Sequence, residues 1–304
     1  MEGINEKEEA QKGSSPAELG KWAEIQDTLK KRVITVDDFP WRLASQSESE
    51  PQQQQLKYVG GVDVSFSKEE PSMACGSLVV LDLLHDLRLV YQEYTCLSLD
   101  IPYIPGFLAF RERYSQVCDR QCSELEPIFA AMSNNISSLI PELWISLLEQ
   151  LSYKGFGLAS HLGVIANIPT IGVGKNLHHV DGLTQSGVRK LLEAEENKAK
   201  GIITLRGNSG FIWGVAMRSE QGSLKPVFVS VGHRVSLETA VEIVNMTCKF
   251  RVPEPIRQHT SQSHHRMPEH LMVMLLHHSV QTFSGLFSLS MLERITLMKL
   301  KPTV

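Results

Sequence analysis

A carboxylate interrupts an otherwise apolar run in the first quarter of the chain. Asp63 lies within Val-Gly-Gly-Val-Asp-Val-Ser-Phe, residues 59–66, which otherwise has the composition of a strand. An acidic side chain is unfavourable there, because burial removes its hydration and its β-propensity is low. Phosphoryl-transfer sites hold such a carboxylate on a rigid strand to bind Mg²⁺. Asp63 is therefore either a metal ligand or a strand-edge aspartate bonded to a nearby backbone amide.

A second carboxylate follows a stiff turn. The run IPYIPGFLAFRE, residues 101–112, contains two prolines and a glycine around Tyr103, and the helix that begins next would deliver Glu112. An aromatic ring on a stiff loop can stack on a nucleobase, a contact worth about 1–3 kcal/mol. The alternative is a tyrosine packed inside its own turn.

A lysine follows a short apolar strand. The run TIGVGK, residues 170–175, would place the ammonium group of Lys175 at the edge of a sheet. The spacing of a P-loop is absent, so this is not a nucleotide-triphosphate motif. Lys175 either contacts a phosphate or is an ordinary surface lysine.

A histidine and an arginine lie between a strand and a helix. In the run SVGHRVS, residues 230–236, Ser236 is placed to cap the helix that follows. Helix N-termini bind anions through their free amides and their dipole. His233 and Arg234 therefore either flank an anion site or belong to a capping loop whose charges are incidental.

The elements that must position these residues change character along the chain. Three consecutive strands are predicted at 58–66, 76–84 and 87–95, and the pair His85-Asp86 makes a tight turn between the last two. Helices are predicted at 16–32, 157–166, 188–200 and 236–250, and further strands at 170–173, 210–217 and 226–231. Strands followed by alternating helices and strands indicate an α/β domain with a mixed sheet, opened by an antiparallel meander.

Composition limits the class of protein. The chain has 304 residues, of which 42% are hydrophobic, enough for one sizeable domain with tails. Its net charge of −4 gives no global basicity, so nucleic-acid binding would need a local basic patch. Five cysteines, an odd number, favour a reducing compartment over a disulfide scaffold. The polar N-terminus has no signal-peptide core, and we expect a protein that is not in a membrane and is cytoplasmic and nuclear or nucleolar.

Six runs, taken in order, resemble the vertebrate form of the endonuclease V family. They are GGVDVSF, PYIPGFLAFRE, GFGLASHLGV, IPTIGVGK, GHRVSLETA and RVPEPIRQ, and the resemblance covers about residues 22–112 and 155–258. It implies a ribonuclease H-like α/β fold, a mixed sheet flanked by helices. It also implies a monomer that hydrolyses the second phosphodiester bond 3′ to inosine in single-stranded RNA, and possible action on DNA, the substrate of bacterial members. The implied cofactor is Mg²⁺, for which Mn²⁺ can substitute.

The resemblance also assigns roles to individual residues. The implied catalytic residues are Asp63, Glu112, Lys175 and His233, of which Asp63 and Glu112 are the metal ligands. The implied nucleic-acid contacts are Pro102, Tyr103 and Ile104, which form a wedge beside the lesion, together with Lys175 and Arg234. Glycines of the stretch 155–163 are implied to help form a pocket for hypoxanthine.

The sequence departs from the family between Glu112 and Gly155. The family carries there a strand ending in Asp-Gly-Asn-Gly, whose Asp is its second principal metal ligand. Counted back from Gly155 without gaps, Ser146 occupies the Asp position, and a neutral hydroxyl is a poor substitute for an anionic ligand. The leucines at 143, 147, 148 and 151 have helical spacing, which predicts a helix in place of the strand.

These departures define the expected organisation and three hypotheses. We expect a disordered tail at 1–15, an endonuclease V-like domain at 16–258 with an atypical segment at 113–153, and an atypical tail at 259–304, as an alternatively spliced product would have. The chain is then an active inosine-specific nuclease, a catalytically impaired isoform that still binds inosine-containing RNA, or an unstable chain that lacks a core strand. Strongly reduced or absent cleavage is the prediction.

Overall fold

The structure, a computed structural model, describes residues 16–43, 54–66, 73–98, 104, 106–107, 142–146, 155–194, 201–219 and 225–258. The helices are α1 (Pro16–Lys30), α2 (Leu158–Ala166), α3 (Gln185–Glu193) and α4 (Leu237–Thr247). The strands are β1 (Trp41–Arg42), β2 (Gln54–Gln55), β3 (Tyr58–Phe66), β4 (Met73–Asp82), β5 (Arg88–Ser98), β6 (Leu143–Ser146), β7 (Thr170–Gly174), β8 (Ile202–Arg206), β9 (Ile212–Met217) and β10 (Val227–His233).

Eight of these strands form one mixed sheet in the order β5-β4-β3-β6-β7-β10-β9-β8. The antiparallel pairs β5-β4 and β4-β3 are the predicted meander, which is confirmed. Strands β3, β6 and β7 are parallel to one another, and β7, β10, β9 and β8 continue in antiparallel pairs. The carboxyl ends of β3, β6 and β7 therefore meet at one edge, where Asp63 lies.

Helices cover both faces of the sheet. On one face, α2 packs against β7 and β10, and Thr170 donates a hydrogen bond to the carbonyl oxygen of Ala159 at 2.8 Å. On the other face, α4 packs on β10 and β9, and its Ile243 belongs to the same buried core as Ile171. Because successive side chains of a strand point to opposite faces, Thr170 contacts α2 on one face and Ile171 lies in the core beneath α4 on the other. The expected mixed α/β architecture is confirmed.

The central strand β6 overturns the helix predicted for the start of its segment. Leu143 to Ser146 are all buried and pair in parallel with β3 on one side and β7 on the other. A strand buried on both faces shows no alternation of polar and apolar residues, so periodicity cannot separate it from a buried helix. A core strand is therefore present at Leu143–Ser146, where the sequence predicts a helix, and residues 147–151 lie outside the described residues.

A carboxylate fixes the start of β6 against the start of β3. Glu142 Oε2 accepts hydrogen bonds from the backbone amides of Lys57 at 2.9 Å and Tyr58 at 2.8 Å. The indole nitrogen of Trp41 donates to the Glu142 carbonyl oxygen at 3.3 Å. Glu142 is therefore committed to the amino end of β6, opposite to the end that carries Ser146.

Strand β8 was not predicted. It alternates exposed and buried residues from Ile202 to Arg206, as expected of an outer strand. The sequence predicts that the preceding helix extends to Lys200, whereas α3 ends at Glu193. None of the helices in the described residues is long and apolar enough to span a bilayer.

Candidate active site at the carboxyl edge of the central strands

Asp63 is a buried carboxylate near the end of β3. Its side chain is 7% exposed, and its Oδ1 accepts a hydrogen bond from the backbone amide of Val64 at 2.9 Å. Burial raises the pKa of Asp63 to about 7, against the opposing effects of the Lys175 charge and the Val64 amide. A carboxyl group with this pKa exchanges its proton near neutral pH, and a bound cation would favour its charged form.

Lys175 is the cation that faces Asp63. It follows the last residue of β7 and is half-buried. The register aligns Gly61, Ile145 and Ile171 across β3, β6 and β7, so these residues share one face. Asp63 lies two residues further along β3 and therefore projects from that same face. The charge of Lys175 lowers the pKa of Asp63, and the structure thus brings these two predicted site residues together.

The glycines before Asp63 permit close approach of other groups. A Cβ atom on Gly61 would overlap the carbonyl group of Pro255, and one on Gly60 would overlap the indole ring of Trp144. The segment after α4 therefore packs directly on β3, two residues from Asp63, on the face that Asp63 shares. Gly61 thus allows the backbone of Pro255 to approach β3 closely.

Ser146 ends β6 without offering a ligand to Asp63. It pairs with Val62 on one side and Gly172 on the other, so it lies one residue short of Asp63 and projects from the opposite face. Ser146 is 3% exposed, and its hydroxyl is buried without a hydrogen-bond partner among the described residues. The next residue in the sequence is Leu147, whose side chain has no metal-binding atom.

The described residues do not fit a metal centre of paired carboxylates. Among them, no three His, Cys, Asp or Glu side chains are arranged to hold a metal ion. Asp63 supplies one carboxylate, Glu142 is engaged at the other end of β6, and Glu112 lies outside the described residues. The site as described is a buried carboxylate beside an ammonium group.

His233 lies apart from this pair. It ends β10 opposite Thr170, the first residue of β7, whereas Lys175 follows the last residue of that strand. His233 is 3% exposed, and its Nδ1 accepts a hydrogen bond from the backbone amide of Ile34 at 3.2 Å. Burial, together with the charges of Arg234 and Arg32, lowers the pKa of His233. The imidazole is therefore neutral at neutral pH and ties the segment after α1 to β10.

Arg234 is engaged within the loop that follows β10. Its Nε donates to the backbone oxygen of Asp38 at 2.9 Å and lies 3.2 Å from the Asp38 carboxylate, and its Nη1 is 3.2 Å from Oδ1 of Asn167. The backbone of Arg234 is left-handed, with φ 56°. Arg234 therefore stabilises the loop that contains it.

The anion site at the N-terminus of α4 is filled from within the chain. Ser236 caps the helix as predicted, accepting a hydrogen bond from the amide of Thr239 at 3.2 Å. The carboxylate of Asp37 accepts from the amide of Ser236 and from the hydroxyl of Thr239, both at 2.6 Å. Asp37 is 199 residues from Ser236, so no local sequence pattern indicates this contact.

The turn expected near the wedge residues is partly described. Ile104 is half-buried and packs with Trp22 and Phe107, and its carbonyl oxygen accepts a hydrogen bond from the amide of Phe107 at 3.0 Å. Gly106 has φ 84°, and its carbonyl oxygen accepts from the side chain of Gln26 at 2.7 Å. The end of the turn is thus fastened to α1. Pro102 and Tyr103 lie outside the described residues.

This mixed sheet, with three parallel central strands and helices on both faces, is a ribonuclease H-like fold. The crystal structure of the catalytic domain of human Endonuclease V matches it with a TM-score of 0.71 and 35% identity, covering 85% of this chain and 99% of the human domain. Endonuclease V from Ciona intestinalis, solved with a DNA 23mer containing an inosine followed by a ribo-adenosine, matches with a TM-score of 0.70 and 28% identity, over 84% of this chain and 99% of that one.

Sequence comparison gives the same relatives. The chain is 40% identical to human Endonuclease V over 253 residues, which cover 81% of this chain and 82% of the human protein. It is 39% identical to the mouse protein over 79% of this chain and 67% of that one. The family model for Endonuclease V matches residues 41–139 and 148–260. The chain belongs to the endonuclease V family, and the resemblance inferred from its motifs is confirmed.

The break in the family match coincides with the central strand. Residues 140–147 are unmatched, and they contain Glu142, the whole of β6 and Ser146. The fold thus keeps a strand at this position, while its sequence departs from the family.

Proposed function

We propose that this chain binds inosine-containing single-stranded RNA across the carboxyl edge of β3 and β7, and that its cleavage of that RNA is strongly reduced. One observation supports the reduced cleavage. Strand β6 ends with the neutral Ser146, the next residue in the sequence is Leu147, and neither supplies a carboxylate beside Asp63. Support for the ligand comes from the Ciona relative, whose structure contains an inosine-bearing strand. A single strand is the favoured form, because extruding a base from a duplex costs a few kcal/mol.

In this proposal the predicted contacts have separate roles. The ammonium group of Lys175 donates to a phosphate oxygen, while Tyr103, with Pro102 and Ile104, wedges against the base. Asp63 and Glu112 are the acidic side chains that would contact Mg²⁺ or Mn²⁺, which in a complete site neutralises the phosphate and activates water. Because the described residues supply one carboxylate, we assign no cleavage step to such an ion. We leave His233 outside the reacting groups, since its Nδ1 already accepts the Ile34 amide.

A second candidate is an active endoribonuclease that hydrolyses the second phosphodiester bond 3′ to inosine. It is favoured by the intact strand β6, which keeps β3 and β7 in register, and by the pairing of Asp63 with Lys175. Both candidates share the fold and the substrate, and they differ only in turnover.

One pair of assays separates the candidates. A single-stranded RNA with one inosine, and the same RNA with adenosine in its place, are incubated with Mg²⁺ beside human Endonuclease V. Binding is measured by fluorescence anisotropy with Ca²⁺ replacing Mg²⁺. We expect this chain to bind the inosine RNA more tightly than the adenosine RNA and to cleave it far more slowly than the human protein. Equal cleavage rates would establish the active endoribonuclease, and equal binding of the two RNAs would overturn inosine recognition.

A lysine pair provides the matched control. Lys175→Gln removes the ammonium group beside Asp63 and is expected to weaken RNA binding, whereas Lys190→Gln removes an exposed charge on α3. Both variants lose one positive charge, so a general electrostatic effect would weaken RNA binding equally in the two. A selective loss in Lys175→Gln assigns the phosphate contact to this edge.

A further inference from the structure

The segment after α4, residues 249–258, contacts the backbone on both sides of the proposed site. The carbonyl group of Pro255 packs on Gly61, near the end of β3. The side chain of Arg251 contacts Lys175, which directly follows β7. One short segment therefore touches the strand that carries the carboxylate of the site and the residue that carries its ammonium group.

The guanidinium group of Arg251 bridges two neighbouring strands at this edge. Its Nη2 donates hydrogen bonds to the backbone oxygens of Lys175 at 2.7 Å and Pro226 at 3.0 Å. Its Nε donates to the backbone oxygen of Lys225 at 3.1 Å. Strand β10 begins directly after Pro226 and pairs in antiparallel with β7. Arg251 therefore joins the end of β7 to the start of β10.

Arg251 is itself fixed at its backbone. The hydroxyl of Ser219 donates to the Arg251 carbonyl oxygen at 2.6 Å, and the next residue, Val252, packs against the core. A guanidinium group presents its N–H groups in a planar fork, so its hydrogen bonds set the direction as well as the position of the oxygens they reach. The three bonds of Arg251 thus hold the carbonyl of Lys175 in one orientation.

We propose that Arg251 is a positioning residue for Lys175, which fixes the backbone from which the ammonium group reaches an RNA phosphate and does not itself contact the RNA. This inference rests on the proposed function. A lysine side chain has large rotamer freedom, and a fixed backbone reduces the freedom that must be lost when the ammonium group meets a phosphate. The N–H groups of Arg251 that we describe are already bonded to backbone oxygens.

The test uses Arg251→Lys, which keeps the charge and loses the planar fork. Arg88→Lys is the matched control, because Arg88 lies near the carboxylate of Asp82 at the opposite edge of the meander, level with the first residue of β3. Binding of the inosine RNA is measured by fluorescence anisotropy. We expect Arg251→Lys to weaken binding by up to about 10-fold, since the Lys175 contact is loosened, and Arg88→Lys to change nothing.

Salt dependence separates positioning from a general loss of stability. Loss of one phosphate contact to a single strand reduces the slope of log K against log salt concentration by about 0.7. Arg251→Lys leaves the net charge unchanged, so a slope reduced towards that of Lys175→Gln reports the weakened Lys175 contact. A folded Arg251→Lys protein with the wild-type slope overturns the proposal, and a thermal melt verifies folding.

A double-mutant cycle identifies the residue through which Arg251 acts. In the Lys175→Gln background, Arg251→Lys is expected to weaken binding no further. Losses that add would show that Arg251 binds RNA directly, which overturns the positioning role. If Arg251→Lys does not fold, Ser219→Ala takes its place, since it releases only the hydroxyl bond to the Arg251 carbonyl. A smaller loss that also vanishes in the Lys175→Gln background is then expected, and unchanged binding overturns the proposal.

Failure of the proposed function gives a different pattern. If the wild-type chain binds no RNA, both proposals fail. If Lys175→Gln binds RNA as the wild-type chain does, the phosphate contact and the positioning role fail while inosine binding stands. If Lys175→Gln weakens binding and a folded Arg251→Lys protein binds normally, the phosphate contact stands and the role of Arg251 alone is overturned.

Discussion

Asp63 is a carboxylate whose surroundings disfavour its charge. Burial outweighs the neighbouring ammonium group of Lys175 and the amide of Val64, and the pKa of Asp63 rises to about 7. A charge is expensive to bury, so a buried carboxylate favours whatever neutralises it. Here that is either a proton or a bound cation.

This shift gives the metal-free protein a defined pH dependence. Because the pKa of Asp63 is higher in the folded state than its ordinary value of 3.8, the folded protein binds the proton more tightly. The stabilising contribution is complete below pH about 4 and is lost as pH rises through about 7, with an upper bound of ~4 kcal/mol. Asp63→Asn should abolish this component. Chemical denaturation in EDTA at several pH values checks it, and parallel pH profiles for the two proteins would contradict it.

Ser146 allows a test of the register. Its buried hydroxyl has no hydrogen-bond partner in the part of the chain that the structure describes, so Ser146→Ala is expected to change the free energy of unfolding by less than ~1 kcal/mol. Ser146→Asp places a charge on the face covered by α2 and is expected to destabilise the protein by ~3 kcal/mol without restoring cleavage. Urea denaturation and the RNA cleavage assay measure both effects. Recovered Mg²⁺-dependent cleavage in Ser146→Asp would show that this side chain reaches the face of Asp63.

At the scale of elements, β6 depends on an anchor at its amino end. Four residues form a short strand, and Glu142 attaches its start to the start of β3 through two backbone amides. The two hydrogen bonds span 85 and 84 residues of sequence and help fix which residue of β6 faces which residue of β3.

Loss of that anchor should cost stability. Glu142→Ala leaves the amides of Lys57 and Tyr58 without their acceptor, and we expect a loss of ~2–3 kcal/mol. Glu142→Gln keeps an acceptor oxygen and should lose less. Glu238→Ala, an acidic residue in the first turn of α4, controls for the change in net charge. Equal unfolding free energies for Glu142→Ala and Glu142→Gln would mean that the carboxylate does not hold β6 in place.

The elements also show what local sequence can reveal. Strand β3 was predicted with its observed ends, because an apolar run with two glycines and a single carboxylate defines it locally. Strand β6 was not predicted, because its neighbours in the sheet are distant in sequence and its buried residues show no periodicity. The residue patterns singled out Asp63 and Lys175 separately, and only the family resemblance placed both in one site. The Ile34 contact of His233 spans 199 residues and has no local pattern.

For the molecule as a whole, an uninterrupted sheet implies cooperative unfolding. Strands from both halves of the chain meet through β6, so the meander and the later strands share one core that also includes residues of α4. We expect a single thermal transition in which far-UV circular dichroism and tryptophan fluorescence coincide. Two separated transitions, or none, would support the hypothesis that the altered central segment leaves the chain unstable.

The segment after α1 makes the boundary of the family match a poor place to shorten the protein. The match begins at residue 41. However, the carboxylate of Asp37 accepts hydrogen bonds at the N-terminus of α4, and the amide of Ile34 donates to Nδ1 of His233. A recombinant form that begins at residue 41 would lose the amide that donates to the buried imidazole of His233. It would also lose the carboxylate that accepts from the amide of Ser236, at the start of a helix about two hundred residues away. Residues 31–39 have no regular secondary structure, but they hold the first and last parts of the domain together.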